Sequence, residues 1–489
     1  MKRLIGLTLI ALFAFLVVPA YSAESGTPAP LMLAQAATTE APAAPAETPP
    51  PKVDTGDTAW ILCSAALVML MTPALGLFYG GMVRRKNVLG TLMQSFVALG
   101  IVTIEWVIIG YSMSFGPDVG GLIGDLSWLG LNGVGLEPNA DYAATIPHQA
   151  FMVFQMMFAI ITPALISGAI AERIKFSSYI VFIALWALLI YNPIAHWVWG
   201  VGGWIRNLGA LDFAGGLVVH ISSGVSALAA ALYLGKRKGY GKELMAPHNL
   251  TMTITGAAIL WFGWFGFNAG SALTAGGLAV SAFVVTHIAS AAAALAWMFA
   301  EWSHRGKPTA LGVASGAVVG LVAITPASGF VSPMSAIIIG AVGGLICYTA
   351  VSLKPRFGYD DSLDVVGVHA VGGTWGALAT GLFASKLINP AGGDGLFFGN
   401  PGQLGIQAIT ILAAWVYSFA VSMVILKVID MVMGLRASEE EEAEGLDLSQ
   451  HGETGYMLDS FSGKGSMEEH SPHSKPVYAS TSTPAPAQR

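Results

Sequence analysis

Long apolar stretches separated by short polar connections fill the chain between residues 57 and 435. Eleven of them approach the ~20 residues that cross a hydrocarbon core about 30 Å thick. They lie at 58–82, 91–115, 148–171, 177–199, 214–234, 249–270, 277–302, 308–326, 333–353, 362–385 and 403–433. The pattern predicts an all-α polytopic membrane protein with eleven transmembrane helices. Residues 1–22 have the plan of a secretory signal: Lys2 and Arg3, the apolar run Leu4–Val18, then Ala20-Tyr21-Ser22 as a small-x-small site. The alternative is an uncleaved first helix, which Pro19 disfavours. Residues 23–56 are rich in Ala, Pro and Thr and read as a disordered linker. Residues 436–489 form a tail, expected to be disordered after about residue 460.

Composition excludes several classes. Of 489 residues only 11% are charged and 54% are hydrophobic, against about 25% charged in a soluble domain. Two cysteines, Cys63 and Cys347, exclude a disulfide scaffold and a CxxC metal or redox motif. With 23 basic residues against 29 acidic ones, and no basic run beyond four, nucleic acid is not an expected partner. Charge also sets orientation. Arg84, Arg85, Lys86, Arg173, Lys175, Lys236, Arg237, Lys238, Lys242, Arg305, Lys307, Lys354, Arg356 and Arg436 fall in one set of connections, only Arg206 and Lys386 in the other. Basic residues stay inside, so the predicted topology is N-out, C-in. The external connection 116–147 carries Asp118, Asp125, Glu137 and Asp141. It reads either as an ordinary solvated loop or as a mild attractor of cations.

Ionisable groups inside a membrane are costly and mark candidate sites. Two occur in matching words: Asp212-Phe-Ala-Gly-Gly-Leu-Val-Val-His220 opens helix five, and Asp361-Ser-Leu-Asp-Val-Val-Gly-Val-His369 opens helix ten. Both are D-x7-H, five helices apart, and an odd number of helices per half inverts the second half. The chain then reads as two inverted five-helix repeats plus a final helix. Eight residues rise about 12 Å, so both histidines reach the midplane from opposite faces. A lone intramembrane His is ordinarily a satisfied helix–helix hydrogen bond; His287, which has no repeat partner, reads as packing or a lone hydrogen bond, whereas a symmetric pair points to a pathway. Asp212 and Asp361 sit where a carboxylate caps a helix start, a role compatible with a part in transport. Glu105, near the middle of helix two, reads as a buried hydrogen bond or a subunit contact.

Several words across this core resemble the ammonium transporter family, whose relatives include the Rh proteins. They are Phe154-Gln155-Met-Met-Phe158 with Gly168-Ala-Ile-Ala-Glu172-Arg173, His196-Trp-Val-Trp199-Gly, the word ending at His220, Trp264-Phe-Gly-Phe267-Asn268-Ala-Gly-Ser271, and the word ending at His369. The resemblance implies a homotrimer with one pore per subunit. It places ammonium recruitment on Trp199 and Ser271, with Phe154, Phe158 and Asp212 completing the binding site. Phe158 and Phe267 become the gate, and His220 and His369 the midplane pore. Asp361, Asn268 and Gln155 are carried over as supporting residues. No catalytic residue, cofactor or metal is implied. Ammonium is recruited outside, loses its proton and crosses as ammonia. A bacterial inner membrane is the implied location. Gly-Val-Gly-Gly between Trp199 and Trp204 is crowded and leaves the angle of Trp199 open. Trp197, Trp204 and Trp261 read as interfacial belt residues.

The acidic run Glu439–Glu442 and the following Gly445 to Tyr456 resemble the family's regulatory segment. That likeness implies a cytoplasmic docking role and a PII-type signal protein as partner; the alternative is a plain solvated tail. Two other functions compete with transport. One is an ammonium sensor that signals through its tail, and the other a bis-histidine haem protein using His220 and His369.

Overall fold

The computed structural model describes residues 52–456. The signal-like stretch, most of the linker and the tail beyond residue 456 lie outside the described residues. Eleven long helices run among them. They are α1 Thr55–Met82; α2 Val88–Glu105, prolonged through a π-helical turn Trp106–Gly110 into Tyr111–Phe115; α3 His148–Ile170; and α4 Phe176–Trp186, prolonged through Ala187–Tyr191 into Asn192–Trp199. Next come α5, a π-turn Gly216–Ile221 continued as Ser222–Leu234; α6 Leu250–Gly270; α7 Gly277–Arg305; and α8 Ala310–Ile324. The last are α9 Pro333–Phe357; α10, a π-turn Val366–Ala370 continued as Val371–Phe383; and α11 Pro401–Met433. The chain is an all-helical polytopic membrane protein, with 9 described helices long and apolar enough to span alone. The expected linker ends early: Asp54 caps α1 by accepting from the Asp57 N–H at 2.9 Å.

The two repeated words fold alike. His220 and His369 each lie in a π-turn. Gly215 and Asp364, at equivalent places in the words, both adopt a positive φ, 116° and 65°; aspartate is one of the few side chains that tolerates that region. Five residues after each word's first aspartate, a backbone N–H donates to its carboxylate at 2.7 Å: Leu217 to Asp212 and Val366 to Asp361. Four residues after each histidine stands a glycine. A Cβ at Gly224 would strike the backbone of Ala370, and one at Gly373 would lie 2.9 Å from the His220 Cβ. The halves therefore cross at contact distance, with small residues letting the backbones meet.

The predicted cytoplasmic ends converge on an ionic lattice. Glu172, at the turn after α3, accepts from the Arg84 backbone N–H (2.7 Å) and Nε (2.8 Å), and pairs with Arg237 at 3.4 Å. Arg237 also pairs with Asp360 at 2.9 Å. Burial pushes the Glu172 carboxyl up, but the Arg237 and Arg84 guanidiniums and the Arg84 N–H donors outweigh it and hold it below the usual carboxylate range. Asp360 is also held low, burial being outweighed by its hydrogen bonds and charge contact with Arg237 and by Arg173.

The described tail lies against this lattice. Arg436 makes a two-atom contact with Glu442 at 2.6 and 3.1 Å, and Lys86 Nζ donates to the Glu442 and Ala443 carbonyls. Asp447 accepts the Leu89 and Gly90 N–H groups at the start of α2, at 3.0 and 2.7 Å. The Gln450 side chain accepts from the Phe176 N–H at 2.8 Å.

Glu172→Gln takes a carboxylate from the half-buried Arg84 and from the buried Arg237, which keeps Asp360, and removal of one partner from a buried pair costs up to about 3–5 kcal/mol. The expected result is a lower unfolding midpoint in detergent at neutral pH. A depressed folded-state pKa gives stability that is complete above the unfolded value of about 4 and lost as pH falls through the folded value. The parent therefore loses stability in acid, and the Glu172→Gln variant shows a shallower acid loss in the same thermal scan.

Candidate functional site

Three cavities succeed one another through the bundle, the first meeting the second at Phe158 and Phe267 and the second sharing Phe78, Val318 and His369 with the third. The outer one holds about 210 Å³ and is lined by Phe151, Gln155, Phe158, Trp199, Phe213 and Ser271, with Asp141, Tyr142 and Arg206 at its rim. The middle one, lined by Phe267, Trp264, His220 and His369 among apolar side chains, has about 10 Å³, room for roughly one water. The third, about 30 Å³, reaches from His369 to Asp364 and Ser315.

Between the outer and middle cavities, the Phe158 and Phe267 rings close to 4.3 Å between centroids. Phe158 stands edge-on to Trp199 at 6.0 Å, and Phe267 stacks on the His220 ring at 6.1 Å. His220 then meets His369 at 5.3 Å, giving a continuous column of rings. Phe154 does not line the outer cavity. It is fully buried and packs edge-on behind Phe158 at 5.0 Å.

The indole Nε1 of Trp199 donates to the Asp212 carbonyl at 2.9 Å, which leaves its ring face for the cavity. Arg206 donates to the Trp199 carbonyl at 2.6 Å. The Ser271 hydroxyl donates to the Phe267 carbonyl at 2.9 Å. Its proton is thereby committed to its own helix, and its lone pairs remain for an N–H donor. The Asp212 carboxylate faces away from the cavity: it accepts the N–H groups of Gly215, Gly216, Leu217 and Val218 at 2.9, 2.6, 2.7 and 3.4 Å. The capping reading describes its side chain, while its carbonyl holds Trp199.

At the centre, His220 Nδ1 and His369 Nδ1 are 3.3 Å apart. One must donate and the other accept, so at least one ring has a bare nitrogen and is neutral. The His220 Nε2 is buried and without a partner among the described residues, and His220 lines the middle cavity. Asn268 sits behind this column, donating to Thr286 at 3.0 Å and accepting from Thr325 at 3.3 Å, while Thr325 accepts the Trp264 N–H at 2.8 Å. That network fixes the Trp264 ring, which stacks on His220 at 5.5 Å. Gln155 lines the outer cavity with its buried Oε1 unpartnered among the described residues. Asp361 caps α10 and has one carboxylate oxygen, Oδ1, unpartnered among the described residues.

Three further residues singled out in the sequence find their places. Trp197 is buried, donates to the Leu122 carbonyl at 2.8 Å and packs on Tyr417 at 4.6 Å, so it anchors the external segment and is no belt residue. Glu105 accepts from Asn192 at 2.7 Å, the buried hydrogen bond of the simpler reading. His287 packs on Trp261 at 5.3 Å. Tyr142, absent from the expected set, lines the rim, donates to the Phe115 carbonyl and stacks on Phe151 at 5.0 Å. Nothing in its spacing marks it, because its partners come from two other segments.

A family model described as Ammonium Transporter Family matches residues 59–456. An "Ammonium transporter" of Bacillus subtilis is 56% identical over 403 residues, covering 82% of this chain and 98% of that protein. "Ammonium transporter Amt1" of Archaeoglobus fulgidus is 49% identical over 401 residues, covering 82% and 99%. The crystal structure of Saccharomyces cerevisiae Mep2 superposes with a TM-score of 0.75 at 37% identity, covering 79% of this chain and 88% of that one.

Asp212→Ala removes the acceptor of four buried N–H groups. Each buried donor left unsatisfied costs about 1–3 kcal/mol, so the start of α5 is expected to loosen and Trp199 with it. Hydrogen exchange at residues 215–218 should rise well above the parent, and tryptophan emission should shift to the red.

Proposed function

Because the chain belongs to the ammonium transporter family and so carries ammonium across a membrane, we propose that ammonium is recognised at the outer cavity, deprotonated, and conducted as ammonia past the two histidines. Recruitment falls to Trp199 and Ser271. A cation over an indole face gains about 0.5–1 kcal/mol when exposed and ~2 or more when desolvated. The Ser271 lone pairs supply a directional acceptor on the other side of the cation. Asp212 acts through Trp199 and the start of α5, and Phe154 through Phe158.

The observation that carries the reading is the pair of nitrogens 3.3 Å apart beside a cavity of about 10 Å³. An intact cation there would forfeit its hydration, a penalty of several kcal/mol per ion unless a counter-charge compensates. The pair offers at least one neutral ring and no anion. Ammonia needs only a hydrogen-bond partner, which the unpartnered His220 Nε2 supplies. The released proton returns to the solvent of the outer cavity above the Phe158–Phe267 gate, whose rings offer no base, or moves along the imidazole pair by a separate step. Orientation with the N-terminus outside rests on the basic residues gathered in the lattice of Arg84, Arg173 and Arg237. A homotrimer, a PII-type protein against the tail, and a bacterial inner membrane rest on the resemblance of the sequence words. The tail's grip on the starts of α2 and α4 gives such a partner a lever on the helix ends.

His220→Ala and His369→Ala are expected to fold as the parent and to lose discrimination between ammonium and potassium in proteoliposomes, or to slow uptake by about tenfold or more. Current and net ammonium flux read in one sample test the split of proton from ammonia. Variants of both histidines that transport with parental rate and selectivity would sink the midplane pathway.

A further inference from the structure

The Gly-Val-Gly-Gly run after Trp199 wraps a polar pair that the pore does not use. His196, one helical turn before Trp199, is fully buried. Its Nδ1 lies 3.1 Å from the Ser114 carbonyl in the last turn of α2, and its Nε2 lies 2.9 Å from the Asp118 carboxylate in the external segment. A backbone carbonyl and an ionised carboxylate, here partly open to solvent, only accept. Each ring nitrogen therefore needs its own hydrogen, and a ring with N–H on both nitrogens is the imidazolium. Its surroundings suit a cation: a carboxylate on one side, and on the other the carbonyl end of α2, where the helix dipole is negative.

We propose that His196 is a resident imidazolium, ion-paired with Asp118, and that it acts as the positioning residue that sets Trp199 over the outer cavity. The proposal rests on the reading of Trp199 as the recruiting side chain. The glycine run has a physical reason on this view. A Cβ at Gly200 would lie 2.5 Å from the His196 Nδ1, one at Gly202 would strike the Asp118 side chain, and one at Gly203 would strike the His196 carbonyl. Gly202 also holds a φ of 94°, open to glycine and strained for other residues. The chain thus leaves Trp199, bends tightly around the ion pair, and returns Arg206 to the Trp199 carbonyl. Asp118 is tied on its own side by the Gly121 N–H at 2.7 Å. The indole is fixed by a clamp before it, a turn after it, and its bond to the Asp212 carbonyl.

The test has two arms. Solid-state NMR of the full chain in lipid, with nitrogen-15 labelled histidine, reads the ring directly, the His196→Gln variant assigning its signals. Two protonated ring nitrogens are expected; a single one overturns the assignment. The second arm is methylammonium uptake by proteoliposomes bearing Asp118→Asn, which keeps the acceptor oxygen and removes the charge. Half-saturation is expected to rise about tenfold, the scale of one charge-assisted hydrogen bond, with maximal rate held within about twofold. Asp118→Glu should restore part of the affinity. Parental half-saturation in Asp118→Asn overturns the positioning role, and so does an equal fall of rate and affinity in both variants. Trp199→Ala with unchanged half-saturation would instead remove the recruitment reading, and the NMR result would stand apart from it.

Discussion

One hydrogen bond between two imidazoles at the centre of the bundle constrains much of what surrounds it. For the Nδ1 atoms to lie 3.3 Å apart, α5 and α10 must cross at contact distance, and the glycines at positions 224 and 373 remove the side chains that would hold them off. Each histidine must also turn inward from a helix whose ordinary pitch would spread its neighbours otherwise. The π-turns re-aim them, as inserted turns commonly do at working sites. A π-turn loosens the helix start, and the aspartates at 212 and 361 repair it by accepting the N–H groups set free.

The same arrangement separates charge from the pathway. The Asp212 and Asp361 carboxylates bond to their own backbone and do not line the middle cavity, while Asp364 pairs with Lys354. Guanidiniums and carboxylates elsewhere gather in the lattice around Glu172 and Asp360, at the ends of α1, α3, α5 and α9. The tail rests on this lattice through Arg436, Glu442 and Asp447. A force on the tail reaches the His369 helix by a short route: Ala437 donates to the Arg173 carbonyl, Arg173 holds the Asp360 carbonyl and Ser362, and Asp361 caps α10.

The helices and the histidine pair were readable from residues alone because apolar length and a repeated D-x7-H word are local signals. Their meeting followed from helix rise and an odd helix count. What escaped depends on partners distant in sequence. Phe154 and Phe158 share a face, yet only the packing of α6 decides which one lines the cavity. Trp197 has the amphipathic character of a belt residue, and only the fold of 116–147 covers it. The glycine run after Trp199 looked like loop variation because the ring it encloses is bonded to residues some eighty positions earlier. Equivalence of Gly215 and Asp364 was likewise invisible, since a positive φ leaves no mark on residue type when aspartate can adopt it.

The inverted repeat has a consequence for direction. Each face of the membrane leads to the centre by an aspartate-capped π-turn that ends in a histidine, so the two halves of the route share a plan though not their flanking rings. By microscopic reversibility a passive segment is as passable outward as inward. It holds no ratchet. Any preference for import has to come from the concentrations and voltage that the cell maintains across it; the unrepeated parts, the aromatic cup on one side and the tail-clasped ends on the other, set how readily the route is entered.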